Sequence, residues 1–185
     1  MRDIIVGIDE IGRGALAGPL VSAAVVLPIA FNTELFDSKT INVAKRESLA
    51  KEINNSAEYV GLGWVSNNEI DEFGLSWALR ESYLRAIKTL SINDYKIILD
   101  GSVNYLTDYN CEAIIKADGS VACVSAASIV AKVARDKYMY GVAKDYKEYG
   151  YDTNVGYGIA KHREAILNHG LSDLHRKSFC SKIIV

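Results

Sequence analysis

Short apolar, β-branched runs alternate along this chain with longer stretches whose apolar residues recur at helical spacing. Ile4 to Ile8 predicts a strand ending at Asp9, and Val21 to Leu27 predicts a second, with Gly18-Pro19 as the turn before it. Between Val43 and Ile53, Val43, Leu49 and Ile53 are apolar while Lys45, Arg46, Glu47 and Lys51 lie outside, which predicts a helix. Tyr59 to Val65 predicts a third strand, and Leu75 to Leu90 a long helix carrying Trp77, Leu79, Tyr83, Leu84 and Ile87. Tyr95 to Leu99 is a strand that also ends on an aspartate, Asp100, followed by Gly101. Cys111 to Lys116 is a fifth, followed by Asp118. Ser125 to Tyr146 reads as an alanine-rich helix and Tyr149 to Gly158 as a polar, glycine-rich loop. Ala160 to Asn168 reads as a short helix closed by Gly170. Strands interleaved with helices specify an α/β layer architecture. No repeat, linker or composition break divides the chain, so residues 1–185 are expected to form a single domain with a short C-terminal helical segment.

Composition narrows the class without naming a function. The chain has 185 residues, 49% hydrophobic and 24% charged, enough to bury a real core. Its net charge of −2 gives no sign of a nucleic-acid partner. Cys111, Cys123 and Cys180 lack the spacing of a metal site and read as buried thiols in a reducing compartment. Asp3, Asp9 and Glu10 exclude a signal peptide. The longest nearly apolar run, Val21 to Ala30, is broken by Ser22 and Pro28 and falls short of the ~20 residues of a membrane span. A cytoplasmic location, a monomeric state and no membrane contact are therefore expected. His162, His169 and His175 are too scattered for a zinc site and read as surface or structural residues. Trp64, Trp77 and Tyr83 read as core.

The chemistry concentrates in "GIDEIGRGALAGP", Gly7–Pro19. Asp9 and Asp100 close two strands, and Asp118 lies beside a third. Function gathers at such sheet ends in α/β folds. Carboxylates ~4 Å apart repel by about 4 kcal/mol at an effective dielectric near 20, so a converging set needs protons or cations. An all-oxygen set suits Mg²⁺ or Mn²⁺. The alternative is a scatter of separate turn aspartates. Ideal strand alternation sends Asp9 and Glu10 to opposite faces, so both reach one site only if the strand bends. Gly12-Arg13-Gly14 lets backbone approach a ligand with no side chain in the way, and Arg13 can meet a phosphate. Gly12 to Ala17 also fits the loose dinucleotide fingerprint G-x-G-x-x-A, which keeps a nucleotide-cofactor-binding protein as a rival. Against it, Gly18-Pro19 and a strand follow where a helix should open, and two acids precede the turn.

Taken together, the motifs resemble the type 2 ribonuclease H (ribonuclease HII) family. "GIDEIGRGALAGP" is similar to its D-E-x-G-R-G-x-x-x-G-P opening, "DSKTI" to its D-S-K segment, and "LDG" at Leu99–Gly101 to its second carboxylate strand. "KADGSVACVSAASIVAKVARD" resembles the run from the fourth acid into the following helix. "GYGIAKH" resembles G-Y-x-T-x-x-H, and "HRKSF" the close of bacterial members. The resemblance implies a ribonuclease H-like fold, a central mixed β-sheet flanked by α-helices. It implies an endonuclease that cuts the RNA strand of RNA–DNA hybrids, and duplex DNA on the 5′ side of single embedded ribonucleotides. The ends left are a 3′-hydroxyl and a 5′-phosphate, by a two-metal mechanism. It implies Asp9, Glu10, Asp100 and Asp118 as catalytic and metal-holding acids; Asp136, which follows Arg135 within the next helix, is read as a structural salt bridge or a helix-surface residue. Gly12, Arg13 and Gly14 would read the ribose 2′-hydroxyl, Tyr157 would stack beneath the neighbouring deoxyribose, and Lys39 and Ser125 would sit near backbone phosphates. Ile159 departs from the pattern, standing where a hydroxyl residue is usual. Late basic residues, Lys161, Arg163, Arg176, Lys177 and Lys182, are expected to line the duplex. Whether a sliding clamp docks on the C-terminal tail is left open.

Overall fold

The computed structural model describes residues 4–35 and 41–184; Lys39, expected near a phosphate, lies outside the described residues. The strands are β1 (Ile4–Ile11), β2 (Leu20–Val26), β3 (Tyr59–Val65), β4 (Tyr95–Asp100) and β5 (Cys111–Ile114). They form one sheet in the order β3-β2-β1-β4-β5. β1 is antiparallel to β2, and β2 to β3, whereas β1–β4 and β4–β5 are parallel. The expected mixed sheet flanked by helices is therefore what forms. The helices are α1 (Val43–Ser56), α2 (Asn67–Phe73), α3 (Leu75–Lys88), α4 (Ala122–Ala143), α5 (Tyr151–Asn154), α6 (Ala160–His169) and α7 (Lys177–Cys180).

The two sheet faces are covered by different helices, and strand alternation decides which residues meet which. Val6, Ile8, Leu20, Ala24, Ile97 and Leu99 pack against Leu79, Tyr83 and Ile87 of α3. Ala23 and Val25 face α1 and α4, whose Leu49, Ile53, Ala126, Ala127 and Val130 complete a second core. The small residues of α4 let it lie close on the sheet. Gly7 permits the tightest approach, because a Cβ there would collide with the backbone of Cys123 and Val124. A third cluster, centred on Met139, Tyr149, Tyr151 and Ile166, joins the C-terminal third to the end of α4.

Most predicted ends shift by one to three residues, and some departures are of another kind. β1 continues past Asp9 to Ile11, because Asp9, Glu10 and Ile11 pair with Ala23, Ser22 and Val21 of β2. β5 stops at Ile114; Lys116 turns into the left-handed region (φ 60°) and starts a 3₁₀ turn at Ala117–Gly119. α2 has no predicted counterpart. Seven residues are too few for periodicity to show, although Ser66 and Glu69 form the capping box that could have revealed it. The stretch read as a loop from Tyr149 contains α5 and is largely buried, with Tyr149, Tyr151 and Asn154 inside. Cys123 and Cys180 are buried free thiols, as expected, and Cys111 is half-buried. No helix among the described residues is long and apolar enough to cross a membrane.

Candidate active site

Parallel pairing places the first two acids. Ile8 of β1 is opposite Leu99 of β4, so the next residues, Asp9 and Asp100, stand side by side on the α4 face at the carboxyl ends of their strands. Asp118 arrives from the 3₁₀ turn that follows β5. One oxygen from each of Asp9, Asp100 and Asp118 lies within 4.8 Å of the other two. The turn is fixed from both ends. Ala117 N–H donates to Asp100 Oδ1 at 2.8 Å, and Ser125 Oγ donates to the Asp118 carbonyl at 2.5 Å. Ser125, expected near a phosphate, is thus buried with its hydroxyl turned inward to the acid-bearing turn.

Asp9 is 7% exposed; it accepts from Glu10 N–H at 2.7 Å and from the Ser128 hydroxyl of α4. Burial, reinforced by the Glu10 and Asp100 charges and opposed by the Ser128 bond, pushes its carboxyl up to about 8. Glu10 follows the alternation of the strand and turns to the opposite face. There Tyr83 of α3 donates its phenolic proton to Glu10 Oε2 at 2.6 Å, and Arg13 lies 3.8 Å from Oε1. Burial raises Glu10 as well, with Tyr83 and Arg13 opposing. Tyr83 is core, as read from the sequence, but its hydroxyl also serves the acid cluster, and nothing in the local sequence signals that. The strand does not bend to bring Glu10 into the tight group. Its influence on Asp9 is electrostatic. Asp136 stands apart from this cluster, paired with Lys132 at 2.7 Å and Arg46 at 3.8 Å.

An all-oxygen, charge-crowded set whose innermost member is driven toward its protonated form suits a hard divalent cation. A cation would hold Asp9 ionised and remove the repulsion among the acids.

Beside the acids, Gly12 to Pro19 forms a loop held from below by two buried arginines. Arg135 of α4 donates to the carbonyls of Pro19 (2.8 Å), Val155 (2.8 Å) and Ala17 (3.0 Å). Arg176 donates to Gly18 O through both Nε (3.0 Å) and Nη2 (2.9 Å), and to Arg13 O at 3.2 Å. Burial and the neighbouring Arg135 charge bring Arg176 down to about 9, so it stays cationic at neutral pH. Arg176, whose place among the late basic residues predicts that it lines a duplex, does not; it is fully buried, and its guanidinium holds the loop instead. Gly12 takes φ 93°, and a side chain there would strike Arg135 and the Pro19 carbonyl. Its N–H donates to the Tyr157 hydroxyl at 3.2 Å, and the Arg135 guanidinium sits 5.3 Å from the Tyr157 ring centre. Arg13 and Gly14 are exposed. The loop continues into β2, antiparallel to β1, so the helix that a dinucleotide fingerprint requires is not there.

Ile159 is the N-cap residue of α6, and no side chain caps that end. Ile159→Thr supplies an acceptor for a first-turn N–H, and Ile159 is already half exposed. The expected gain is about 1 kcal/mol, or roughly 2–4 °C in Tm, read by thermal denaturation. An unchanged Tm would show that this helix end is satisfied by water.

The model of the family "Ribonuclease HII" matches residues 6–182. A Campylobacter concisus ribonuclease HII is 48% identical over 183 residues, covering 96% of this chain and 94% of that protein. Among solved structures, the ribonuclease H2 of Pyrococcus horikoshii OT3 superposes with a TM-score of 0.82 at 27% identity, covering 97% of this chain and 96% of the other. The Archaeoglobus fulgidus RNase HII solved in complex with PCNA gives a TM-score of 0.76 at 26% identity, covering 94% and 93%. The order of the acids, the mixed sheet and these matches lead to one conclusion: the chain belongs to the ribonuclease HII family.

Proposed function

We propose that this chain is a metal-dependent endonuclease. It cuts the RNA strand of RNA–DNA hybrids and the 5′ side of single ribonucleotides in duplex DNA, leaving a 3′-hydroxyl and a 5′-phosphate. The observation that carries the reading is the grouping of Asp9, Asp100 and Asp118 within 4.8 Å, a few residues from a glycine turn docked on Tyr157. Asp9, Asp100 and Asp118 would hold Mg²⁺ or Mn²⁺, with Glu10 as the fourth acid. When bound, two such ions supply an activated water and stabilise the departing 3′-oxygen. The protein's own part is to aim these groups: Ser128 orients Asp9, Ser125 fixes the turn bearing Asp118, and Tyr83 holds Glu10.

Selectivity falls to Gly12-Arg13-Gly14. A site built to bond a hydroxyl rejects the analogue lacking it by ~10⁴ or more, and the 2′-hydroxyl is what separates RNA from DNA at one position. Tyr157 would stack beneath the adjoining deoxyribose, with Lys39 near the backbone. The exposed Lys161, Arg163, Lys177 and Lys182 would meet phosphates, despite the net charge of −2. A clamp partner, such as the PCNA that accompanies the Archaeoglobus protein, belongs to the same proposal as a docking contact at the C-terminal tail.

The test is an end-labelled DNA duplex carrying one ribonucleotide, incubated with Mg²⁺, with Mn²⁺ and with EDTA. A single cut 5′ of the ribonucleotide, abolished by EDTA, is expected. Cleavage indifferent to EDTA, or none with either metal, would refute the reading. Gly14→Ala sharpens it. A Cβ on Gly14 meets nothing within 4 Å and its φ needs no glycine, so folding should be unaffected. A methyl between the turn and an approaching sugar should nonetheless lower kcat/KM by roughly 10²-fold. Parental kcat/KM in this variant would remove the turn from the substrate's path.

A further inference from the structure

His162 of α6 and His175 of the segment before α7 are 0% and 1% exposed, and their Nε2 atoms lie 3.1 Å apart. In such a contact one ring donates and the other accepts, and the outer nitrogens decide which. His175 Nδ1 receives the Ser172 backbone N–H at 2.8 Å, with the Ser172 hydroxyl also at 2.8 Å, so it carries no proton. The proton of a neutral His175 therefore sits on Nε2. His162 Nδ1 is 2.9 Å from the Tyr157 carbonyl, which can only accept, so the proton of His162 is on Nδ1 and its Nε2 is bare. The bonds run one way: Ser172 N–H into His175, His175 into His162, and His162 into the Tyr157 carbonyl.

The last link fixes the backbone of the residue whose hydroxyl meets the glycine turn. We propose that the His175–His162 pair is a positioning device for Tyr157, keeping its ring in register with Gly12-Arg13-Gly14 so that the two grip the substrate together. The proposal rests on the substrate role of Tyr157 given above. It requires both rings neutral, since a proton on His162 Nε2 would set two N–H groups against each other. The surroundings enforce that state. Tyr149 and Tyr151 pack on the rings, Arg163 is the charge acting on His162, and no carboxylate among the described residues bonds to either ring. Burial accordingly holds His162 below its ordinary value and, with the His162 ring, brings His175 down to about 4.

Two substitutions separate positioning from mere packing. In His162→Asn the amide N–H stands near the place of Nδ1 and can still donate to Tyr157. In His162→Gln the amide oxygen reaches the place of Nε2, accepts from His175 and gives Tyr157 nothing. Both lose the ring and should lose similar stability. On a duplex with one ribonucleotide, His162→Asn should keep KM within about threefold of the parent, whereas His162→Gln should raise it about tenfold with kcat little changed. In a Tyr157→Ala background the difference should vanish. Equal KM values in the two variants, from a parent that cuts, would overturn the positioning role alone. A parent that cuts no ribonucleotide would overturn the nuclease reading first. Should neither variant fold, ¹H–¹⁵N spectra of the parent imidazoles decide. Nδ1–H on His162 and Nε2–H on His175, both unchanged from pH 8 to pH 5.5, are expected. A ring titrating near 6.5, or the reverse tautomers, would overturn the proposal.

Discussion

Asp9→Asn should reduce cleavage of a single-ribonucleotide duplex by roughly 10³-fold or more while raising the melting temperature of the metal-free protein. The loss corresponds to about 4 kcal/mol of transition-state stabilisation, within what a metal site supplies. Asn keeps an oxygen for the Glu10 N–H, and the Ser128 hydroxyl can either donate to that oxygen or accept from the amide N–H, so the fold is spared. The opposite sign on stability follows from linkage. Asp9 has an ordinary value of 3.8 and rises to about 8 when folded, so between these values the folded chain keeps a proton that the unfolded chain has released. Stability of the metal-free parent therefore falls as pH rises from about 4 to about 8. Asn does not titrate, so its advantage should grow across that window and level off above it. Melting curves in EDTA at pH 5, 7 and 9, beside rates in Mn²⁺, give both signs. Parental turnover in the variant would take Asp9 out of the reaction. An advantage that stays flat from pH 5 to pH 9 would mean that Asp9 is already ionised in the fold.

Arg135→Ala should have the largest effect on folding, a loss of about 4 kcal/mol by urea denaturation. Arg135 is fully buried and is the donor to the Pro19, Ala17 and Val155 carbonyls, which tie the glycine loop to the segment before Tyr157. Truncation strands buried acceptors, each costing roughly 1–3 kcal/mol, and opens a cavity besides. Arg135→Lys should recover less than half of the loss, because one ammonium cannot span three diverging carbonyls as the planar fork does. A loss below about 1 kcal/mol in the alanine variant would mean that water satisfies those carbonyls.

The elements that could be read from the chain are those that local pattern determines. The apolar run delimits β3 at Tyr59–Val65, and the acids stand out because Asp9 and Asp100 each follow a short apolar run; that their strands pair in parallel and bring them abreast is visible only in the fold. What escaped depends on long-range partners. Arg135 and Arg176 look like surface cations, since charge is usually solvated, yet they reach carbonyls 118 and 158 residues away. His162 and His175 are scattered in sequence and read as surface or structural; burial and a shared hydrogen bond make them a pair. His169, by contrast, is exposed. The place of Tyr83 on α3 marks it as core, but its bond to Glu10 spans 73 residues and depends on how α3 crosses the sheet. Alternation foretold the separation of Asp9 and Glu10, and the β2 pairing of β1 enforces it through Ile11.

The most direct single measurement compares two DNA duplexes, identical except at one sugar, in Mn²⁺. One carries a ribonucleotide and the other the 2′-fluoro analogue at the same position. The ribonucleotide duplex should be cut 5′ of that sugar at a rate ~10⁴-fold or more above its partner. Equal rates on the two would contradict a metal-holding acid cluster that works beside a turn reading the sugar hydroxyl.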